Sequence, residues 1–595
     1  LNIVLEDLKY EQKVTNELVE LFKDLEFFSF LKNMEVKKEE KSFEFKTISS
    51  IKDIKLDKRI AIEVMLDNEN YHIGHILGMG ISDSLNNYYV DGKNVISVLD
   101  EIKFLDVITY DAKKVLCCSK IDINFVDDLM IEAYLLNLNI KDDLAYLANQ
   151  TNEDFLYYEN MKKDKFSSIE MEVIKRSRFI YDNNDEYKKK LEENKCMDLY
   201  ENIEMPLVKV LADMETTGII CKDEILKDMS LELEVKLELL TREIYELAGE
   251  EFNIGSPKQL GEILFEKLEI AKGKKNKTDV KVLEKLVDKH PIVEKILEYR
   301  NLAKLKSTYI EGLANYILDD GKIHTIYKQT LTRTGRLSST DPNLQNIPVR
   351  EELGRKIRKA FVPENDCFLS SDYSQVELRV MASLSKCPSL IEAFNNNEDI
   401  HTHVASEVFA VPEEAVTKQM RRCAKAVIFG IIYGISGFGL GENLHISRKD
   451  AEEYIDKFHV LYPEVKEYTD KRIEEARKTG GVTTLFGRRR VIEEINNPNY
   501  LIKQMGERMA MNTPIQGTSA DIMKLAMIRV YNRFKNEGIT SKILLQVHDE
   551  IIIDCKNEEL EKIKNIVKEE MENVYKLNVP LKVEIDIGNN WYEAK

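Results

Sequence analysis

At 595 residues the chain exceeds what one hydrophobic core organises, so several domains are expected. Hydrophobic residues make up 43% and charged residues 32%, which excludes a disordered or fibrous chain. The net charge of -19 argues mildly against a nucleic-acid partner, but binding follows local potential and a total misleads where charge is segregated. The longest nearly apolar run, Ala426 to Tyr433, is far short of the ~18 residues a membrane helix needs, so no membrane partner is expected. No basic start precedes an apolar core near the beginning, and Leu1 in place of Met reads as a trimmed start. The eight cysteines contain no CxxC pair, which fits a reducing cytoplasm and offers neither zinc site nor disulfide framework.

From residue 1 to about 190, short apolar strands alternate with helical stretches. Ile60–Val64 and His75–Ile81 read as strands, and Asp127 to Gln150 as helix. The polar run Tyr181 to Lys195 reads as a linker. From Asp223 to Leu318 the pattern is helical and charged, as in an exposed arm, interrupted at Gly255-Ser-Pro257 and at a lysine-rich loop (Lys272, Lys274, Lys275, Lys277). Strands return from Lys322 onward. Between Lys328 and Phe361, eight basic residues (Lys328, Arg333, Arg336, Arg350, Arg355, Lys356, Arg358, Lys359) face Asp341, Glu351 and Glu352, a local charge of +5. Arg421-Arg422 with Lys425, and Arg488-Arg489-Arg490, add further basic clusters. His401-Thr-His403 reads as a core and a surface residue rather than a ligand pair.

Cys367–Ser371 reads as a half-buried strand delivering Asp372 at its end, with helical spacing from Ser374 to Ala382. A carboxylate so mounted is rigid and exposed, as a metal ligand needs. Ile543–Val547 and Ile551–Asp554 flank His548-Asp549-Glu550, a hairpin with acids at its tip and without the Asn-Gly chemistry tight hairpins prefer. A local rule broken between two good strands is what a functional site looks like. Arg421, Lys425, Phe429 and Tyr433 stand four residues apart, so two cations and two aromatics share one helical stripe. Such a stripe suits a triphosphate at one end and a base or sugar at the other. The glycines of Gly434-Ile-Ser-Gly437-Phe-Gly439-Leu-Gly441 read as a flexible joint that lets this helix move.

With these residues in view the chain resembles family A DNA polymerases in their Klenow-type large fragment. Asp372-Tyr-Ser-Gln-Val-Glu-Leu-Arg379 resembles motif A, Arg421-x-x-x-Lys425-x-x-x-Phe429-Gly-x-x-Tyr433-Gly434 motif B, and Gln546-Val-His-Asp-Glu550 motif C. Thr334–Pro348, Phe486–Arg490 and Arg508-x-x-x-Asn512-x-Pro-x-Gln-Gly517 resemble three further blocks. The likeness is strong from about residue 200 to 595 and weak before it. It implies an α+β multidomain fold: a right-hand polymerase with an antiparallel palm sheet, helical thumb and fingers, preceded by an α/β ribonuclease H-like exonuclease-type domain. The segments would be the exonuclease-like domain at 1–190, the start of the polymerase at 191–222, thumb at 223–318, palm at 319–378 and 503–595, and fingers at 379–502.

The resemblance also implies chemistry: two Mg²⁺ ions held by Asp372, Asp549 and the Tyr373 carbonyl, with Glu550 beside them. Arg421 and Lys425 would neutralise the triphosphate, Lys425 giving a proton to pyrophosphate. Gln375, Glu377, Phe429, Tyr433 and His548 would surround the incoming nucleotide, Glu377 excluding a 2′-hydroxyl. Arg336, Gln345, Asn346, Arg508, Asn512, Gln516 and again His548 would line primer-template DNA, reading shape more than sequence. A monomeric bacterial enzyme of DNA replication and repair, cytoplasmic and nucleoid-associated, is implied.

The sequence departs from the family in several places. Ile428 replaces the usual Asn before Phe429, and the thumb loop between Lys277 and Val282 is short. Glu63-Val-Met65 stands where proofreading relatives carry Asp-x-Glu, and a thioether is a poor Mg²⁺ ligand. Asp111 matches a later family acid whose partner Asn is absent, and Tyr181-x-x-x-Asp185 fits the last exonuclease motif only formally. A scaffold without proofreading is therefore expected. The family's 5′-nuclease domain has no counterpart in the sequence. Two other readings compete, a single-subunit RNA polymerase and a non-catalytic DNA-binding relative. Glu377 and Phe429 speak against the first, and retention of Asp372, Asp549, Arg421 and Lys425 against the second.

Overall fold

The computed structural model describes residues 43–595 except 53, 152, 272–276 and 350, together with 18, 21 and 22. Lys272, Lys274, Lys275 and Arg350 of the basic clusters lie outside the described residues. Two compact units divide between Met197 and Asp198.

The first unit is built on a six-stranded mixed sheet. Arg59–Leu66 pairs antiparallel with Ile76–Ser82 and parallel with Asp106–Thr109, and Lys46–Ile48 and Phe125–Asp128 form the edges. Ile60, Ala61, Ile62 and Val64 are fully buried, so the run is apolar on both faces, as a central strand must be. The helix Ile169–Glu193 lies on this sheet, so close at Gly80 that a Cβ there would collide with the Val173 carbonyl.

Two sequence expectations fail here. Tyr181 to Lys195 is not a linker but mostly the second half of that helix: Ile180, Asn184, Tyr187 and Leu191 are buried at helical spacing, and the polar residues merely face outward. Nor is Asp127 to Gln150 one helix. Asp127 and Asp128 end a strand, and the helix Leu129–Leu135 stops before Asn137, whose φ of 59° leaves the right-handed region.

The second unit contains a helical arm and a palm-like sheet. Asp223–Ala248 packs antiparallel to Pro291–Lys304 over a core of Ile244, Leu260, Leu264, Leu283, Ile292, Val293 and Ile296. The arm is therefore not merely exposed helix; it has its own apolar interior. The four-stranded antiparallel sheet runs Lys542–Val547, Glu550–Cys555, Cys367–Tyr373, Val583–Gly588. Cys367–Tyr373 is central, with a strand paired on each side, and buried on both faces rather than half-buried: Phe368 enters the core on one face, and Ser371 and Tyr373 meet Met571 on the other. Phe368, Leu545, Val547, Ile552 and Trp591 form the core beneath.

Beside the sheet, Glu204 accepts from Lys524 Nζ at 2.7 Å and from Arg488, which also reaches Asp521 at 2.6 Å; all four are buried. Arg488 is thus a core ion, not part of a basic surface, and Arg358, 2% exposed and 4.1 Å over the Trp591 ring, is another. The expected segment limits at 190/191, 378/379 and 502/503 each fall inside a helix (Ile169–Glu193, Val376–Ser385 and Tyr500–Asn536). Motifs mark where chemistry changes, and the backbone need not break there.

Candidate active site

The expected hairpin is present, with His548 and Asp549 as its two-residue turn. His548 takes φ 57°, the left-handed conformation a tight turn demands and a non-glycine rarely adopts. The Tyr373 N–H donates to the Asp549 carbonyl at 3.1 Å, which ties this turn to the end of the central strand. Asp372, near the end of its strand, and Asp549, in the turn beside it, therefore stand together at one end of the sheet. Burial first of all pushes each carboxyl up to about 6, and the neighbouring carboxylates Glu377 and Asp372 add to the effect on Asp549. Two oxygen-donor carboxylates that resist ionising beside one another suit a hard divalent cation.

Glu550 is placed differently from the tip position expected. It is the first residue of the returning strand, 1% exposed, directly opposite Asp372. Ser370 Oγ donates to one of its oxygens at 2.6 Å and Lys595 Nζ to the other at 2.7 Å. On the other flank Asp372 faces Glu584, with Asp586 two residues on. Sequence reasoning missed Glu584, Asp586 and Lys595; the alternation Val583-Glu-Ile-Asp-Ile-Gly588 was the available signal for an acidic sheet face.

The basic stripe occupies the helix Lys418–Ile432, capped by Thr417, whose Oγ1 accepts from Met420 N–H at 3.2 Å. Arg421 and Lys425 are exposed and Phe429 half-buried, with Tyr433 the closing residue. The Phe429 and Tyr433 rings stack at 6.3 Å and 17°. Arg421 Nε donates to Asp399 at 2.7 Å, a partner the sequence did not signal. His401, buried against Phe429, has its imidazole pushed down to about 4 by burial and then by Lys425. His403 instead sits among Glu398, Glu407 and Glu413. Ile428 is buried within the helix packing. The glycines after the stripe do not form a loose joint: Gly437–Leu444 is a helix capped by Ser436. Gly434, at φ 62°, lets the chain approach Arg508, where a Cβ would come within 2.7 Å of Cγ.

Glu377, buried in the helix Val376–Ser385, joins the parts. Its carboxylate accepts from Arg336 and, at 2.7 Å, from the Tyr433 hydroxyl. Gln375 precedes that helix with φ 55°, which moves its start two residues beyond Ser374. Arg336 lies in the loop between the paired strands Ile326–Lys328 and Ser338–Thr340. Gly335 of that loop rests on the buried Arg488 guanidinium, leaving no room for a Cβ.

Arg508, Asn512 and Gln516 recur every four residues on the less buried face of Tyr500–Asn536, and Asn512 Nδ2 donates weakly to the Tyr433 carbonyl at 3.5 Å. Gln345 Nε2 donates to the Gln546 side-chain oxygen at 3.0 Å, and Asn346 follows it in the short helix Leu344–Asn346. Among the described residues, Gln375 Oε1 and Asn512 Oδ1 are buried and make no hydrogen bond. Buried polar atoms without partners are uncommon and point to a ligand or water.

In the first unit, Lys114 Nζ donates to Glu63 at 3.3 Å, and both side chains are largely buried. Met65 packs on Tyr89, Met161, Val173 and Ile174. Asp111 caps the helix Ala112–Ser119, and Asp128, which accepts from the Asp111 and Ala112 N–H groups, is pushed up to about 7 by burial and then by Asp111. Asp185 pairs with Arg59 at 2.6 Å. Lys114 and Asp128 were not singled out in the sequence.

Residues 223–593 match the profile of DNA polymerase family A. The chain is 45% identical to the DNA polymerase I of Lactococcus lactis subsp. cremoris (strain MG1363), covering 100% of this chain and 70% of that protein. It is 41% identical to the DNA polymerase I of Geobacillus stearothermophilus, covering 100% and 71%. The POL domain of Pol1 from M. smegmatis, solved in complex with DNA primer-template and dNTP, superposes with a TM-score of 0.83 at 34% identity, over 90% of this chain and 96% of that one. The chain belongs to DNA polymerase family A. Among the described residues no helix is long and apolar enough to cross a membrane.

Proposed function

We propose that this chain extends a DNA primer on a DNA template with deoxynucleotides, working as a monomer. Residues 223–318 would serve as thumb, 319–378 and 503–595 as palm and 379–502 as fingers. The observation that carries the reading is the juncture of Asp372 and Asp549, two carboxyls pushed to about 6 and tied through the Tyr373 N–H. Asp372, Asp549 and the Tyr373 carbonyl would hold two Mg²⁺ ions. Bound there, the ions supply charge for the entering 3′-hydroxyl and the leaving pyrophosphate.

The remaining roles fall to side chains. Arg421 leaves Asp399 to meet the triphosphate, and Lys425, exposed one turn on, neutralises it and gives a proton to pyrophosphate. Phe429 and Tyr433 flank base and sugar as a stacked pair. Glu377, held by Arg336 and Tyr433, fills the space a 2′-hydroxyl would need. Gln375 and His548 border the nucleotide; Gln345, Asn346, Arg508, Asn512 and Gln516 follow the duplex. The buried Glu63–Lys114 pair and the apolar setting of Met65 support a first unit that does not proofread. Primer extension with each of the four deoxynucleotides and Mg²⁺ tests the reading; template-independent addition or none would overturn it.

A further inference from the structure

Five acids converge at this end of the palm sheet. Glu550 and Glu584 stand directly opposite Asp372 on the two flanking strands, so the three side chains share one face. Asp586 follows Glu584 at the same-face spacing, and Asp549 adjoins Asp372 through the Tyr373 backbone. A divalent cation arriving here meets more carboxylates than the two the proposed mechanism uses.

Lys595 distinguishes one of them. Its Nζ donates to Glu550 Oε2 at 2.7 Å, while Ser370 Oγ occupies the other oxygen at 2.6 Å. Glu550 is 1% exposed, so both of its oxygens are spoken for inside the protein. The segment that carries Lys595 is firmly seated: Trp591 and Ala594 are fully buried, Trp591 packs edge-on against Phe361 at 5.4 Å, and Arg355 donates to the Lys595 carbonyl at 2.9 Å. The ammonium is thus delivered to the metal-side face by packing, not by a loose tail.

We propose that Lys595 is a positioning residue that ties off Glu550, so that a cation is held by Asp372 and Asp549 without a third carboxylate. This rests on the reading of Asp372 and Asp549 as the metal pair. Extra carboxylates raise cation affinity, so a freed third one would hold the cation more tightly. Removing the ammonium frees a buried carboxylate opposite Asp372 and removes a repelling charge.

The test is Mn²⁺ binding to the whole chain without DNA or nucleotide, followed by the electron paramagnetic resonance of free Mn²⁺. Lys595→Met should bind Mn²⁺ about three- to tenfold more tightly than the parent. Lys595→Arg, which keeps a cationic donor, should restore parental affinity. In a Glu550→Gln background, Lys595→Met should bring a clearly smaller gain, since only the repelling charge is then lost. Unchanged affinity in Lys595→Met, or a gain of the same size with Glu550→Gln, would overturn the proposal. Asp372→Asn separates the two levels: if it abolishes binding while Lys595→Met changes nothing, only the role of Lys595 fails. If Asp372→Asn leaves binding unchanged, the metal pair and the proposal built on it fail together.

Discussion

The Tyr433 hydroxyl donates to Glu377 at 2.7 Å, joining the end of the helix Lys418–Ile432 to the first turn of the helix behind Asp372. Burial and then the Glu377 carboxylate hold that hydroxyl well above the usual phenol range, so it remains a donor at any working pH. If this pair closes the sugar pocket, Glu377→Ala should raise ribonucleotide incorporation by about one to two decades, the equivalent of ~1–3 kcal/mol. Tyr433→Phe removes the hydrogen bond but keeps the carboxylate in place, and should cost less than about tenfold of the discrimination. Competition between ribo- and deoxynucleotides opposite one template base measures both; unchanged selectivity in the two variants would remove the pair from the pocket.

Phe429 lacks the hydroxyl that could stand in for a missing 3′-hydroxyl. Ile428 is buried in the packing, while the Phe429 ring stays stacked on Tyr433, so the substitution at 428 need not turn the ring away. Phe429→Tyr should therefore relax discrimination against dideoxynucleotides, read from terminator competition. Equal selectivity in parent and variant would mean that residue 429 does not touch the sugar.

Glu204 is buried with Arg488, Lys524 and Asp521. Burial opposes its ionisation, but Lys524 and Arg488 outweigh burial and hold the carboxyl down to about 2. A carboxyl lowered on folding adds stability that is fully present above its unfolded value and is lost as pH falls through the folded one. Glu204→Gln should cost about 3–5 kcal/mol near pH 7, because it leaves two buried cations with one acid. The gap between parent and variant should narrow by about 1 kcal/mol between pH 7 and pH 4. Trp591 is the single tryptophan and is buried in the second unit, so its fluorescence in urea reports the relevant transition. A gap that widens toward acid would contradict the assignment.

With Lys114 paired to Glu63 and Met65 in an apolar cluster, a mismatched primer incubated with Mg²⁺ and no nucleotides should stay full length. Stepwise shortening that persists in Asp549→Ala would reveal a working nuclease centre in the first unit.

Much of the site was legible because the relevant residues are close in sequence or sit at helical spacing. Asp372 at a strand end, the Arg421–Tyr433 stripe and the His548-Asp549 turn all emerge from local pattern. What escaped depends on contacts between distant segments. Nothing near Arg421 announces Asp399, nothing near Glu550 announces Lys595, and Arg488 looks like its neighbours Arg489 and Arg490 until Glu204 and Asp521 surround it. Composition misled twice. The stretch after Tyr181 is a helix with one buried stripe, and the glycines after Tyr433 permit close helix packing instead of looseness.

If Asp372 and Asp549 form the metal pair, it shows in the extension of a labelled primer-template by Asp372→Ala and Asp549→Ala, with duplex binding measured on the same preparations. Each variant should bind primer-template nearly as the parent does and fail to extend it, as loss of a metal ligand requires. Extension within about tenfold of the parent by either variant, roughly 1.4 kcal/mol of barrier, would contradict it.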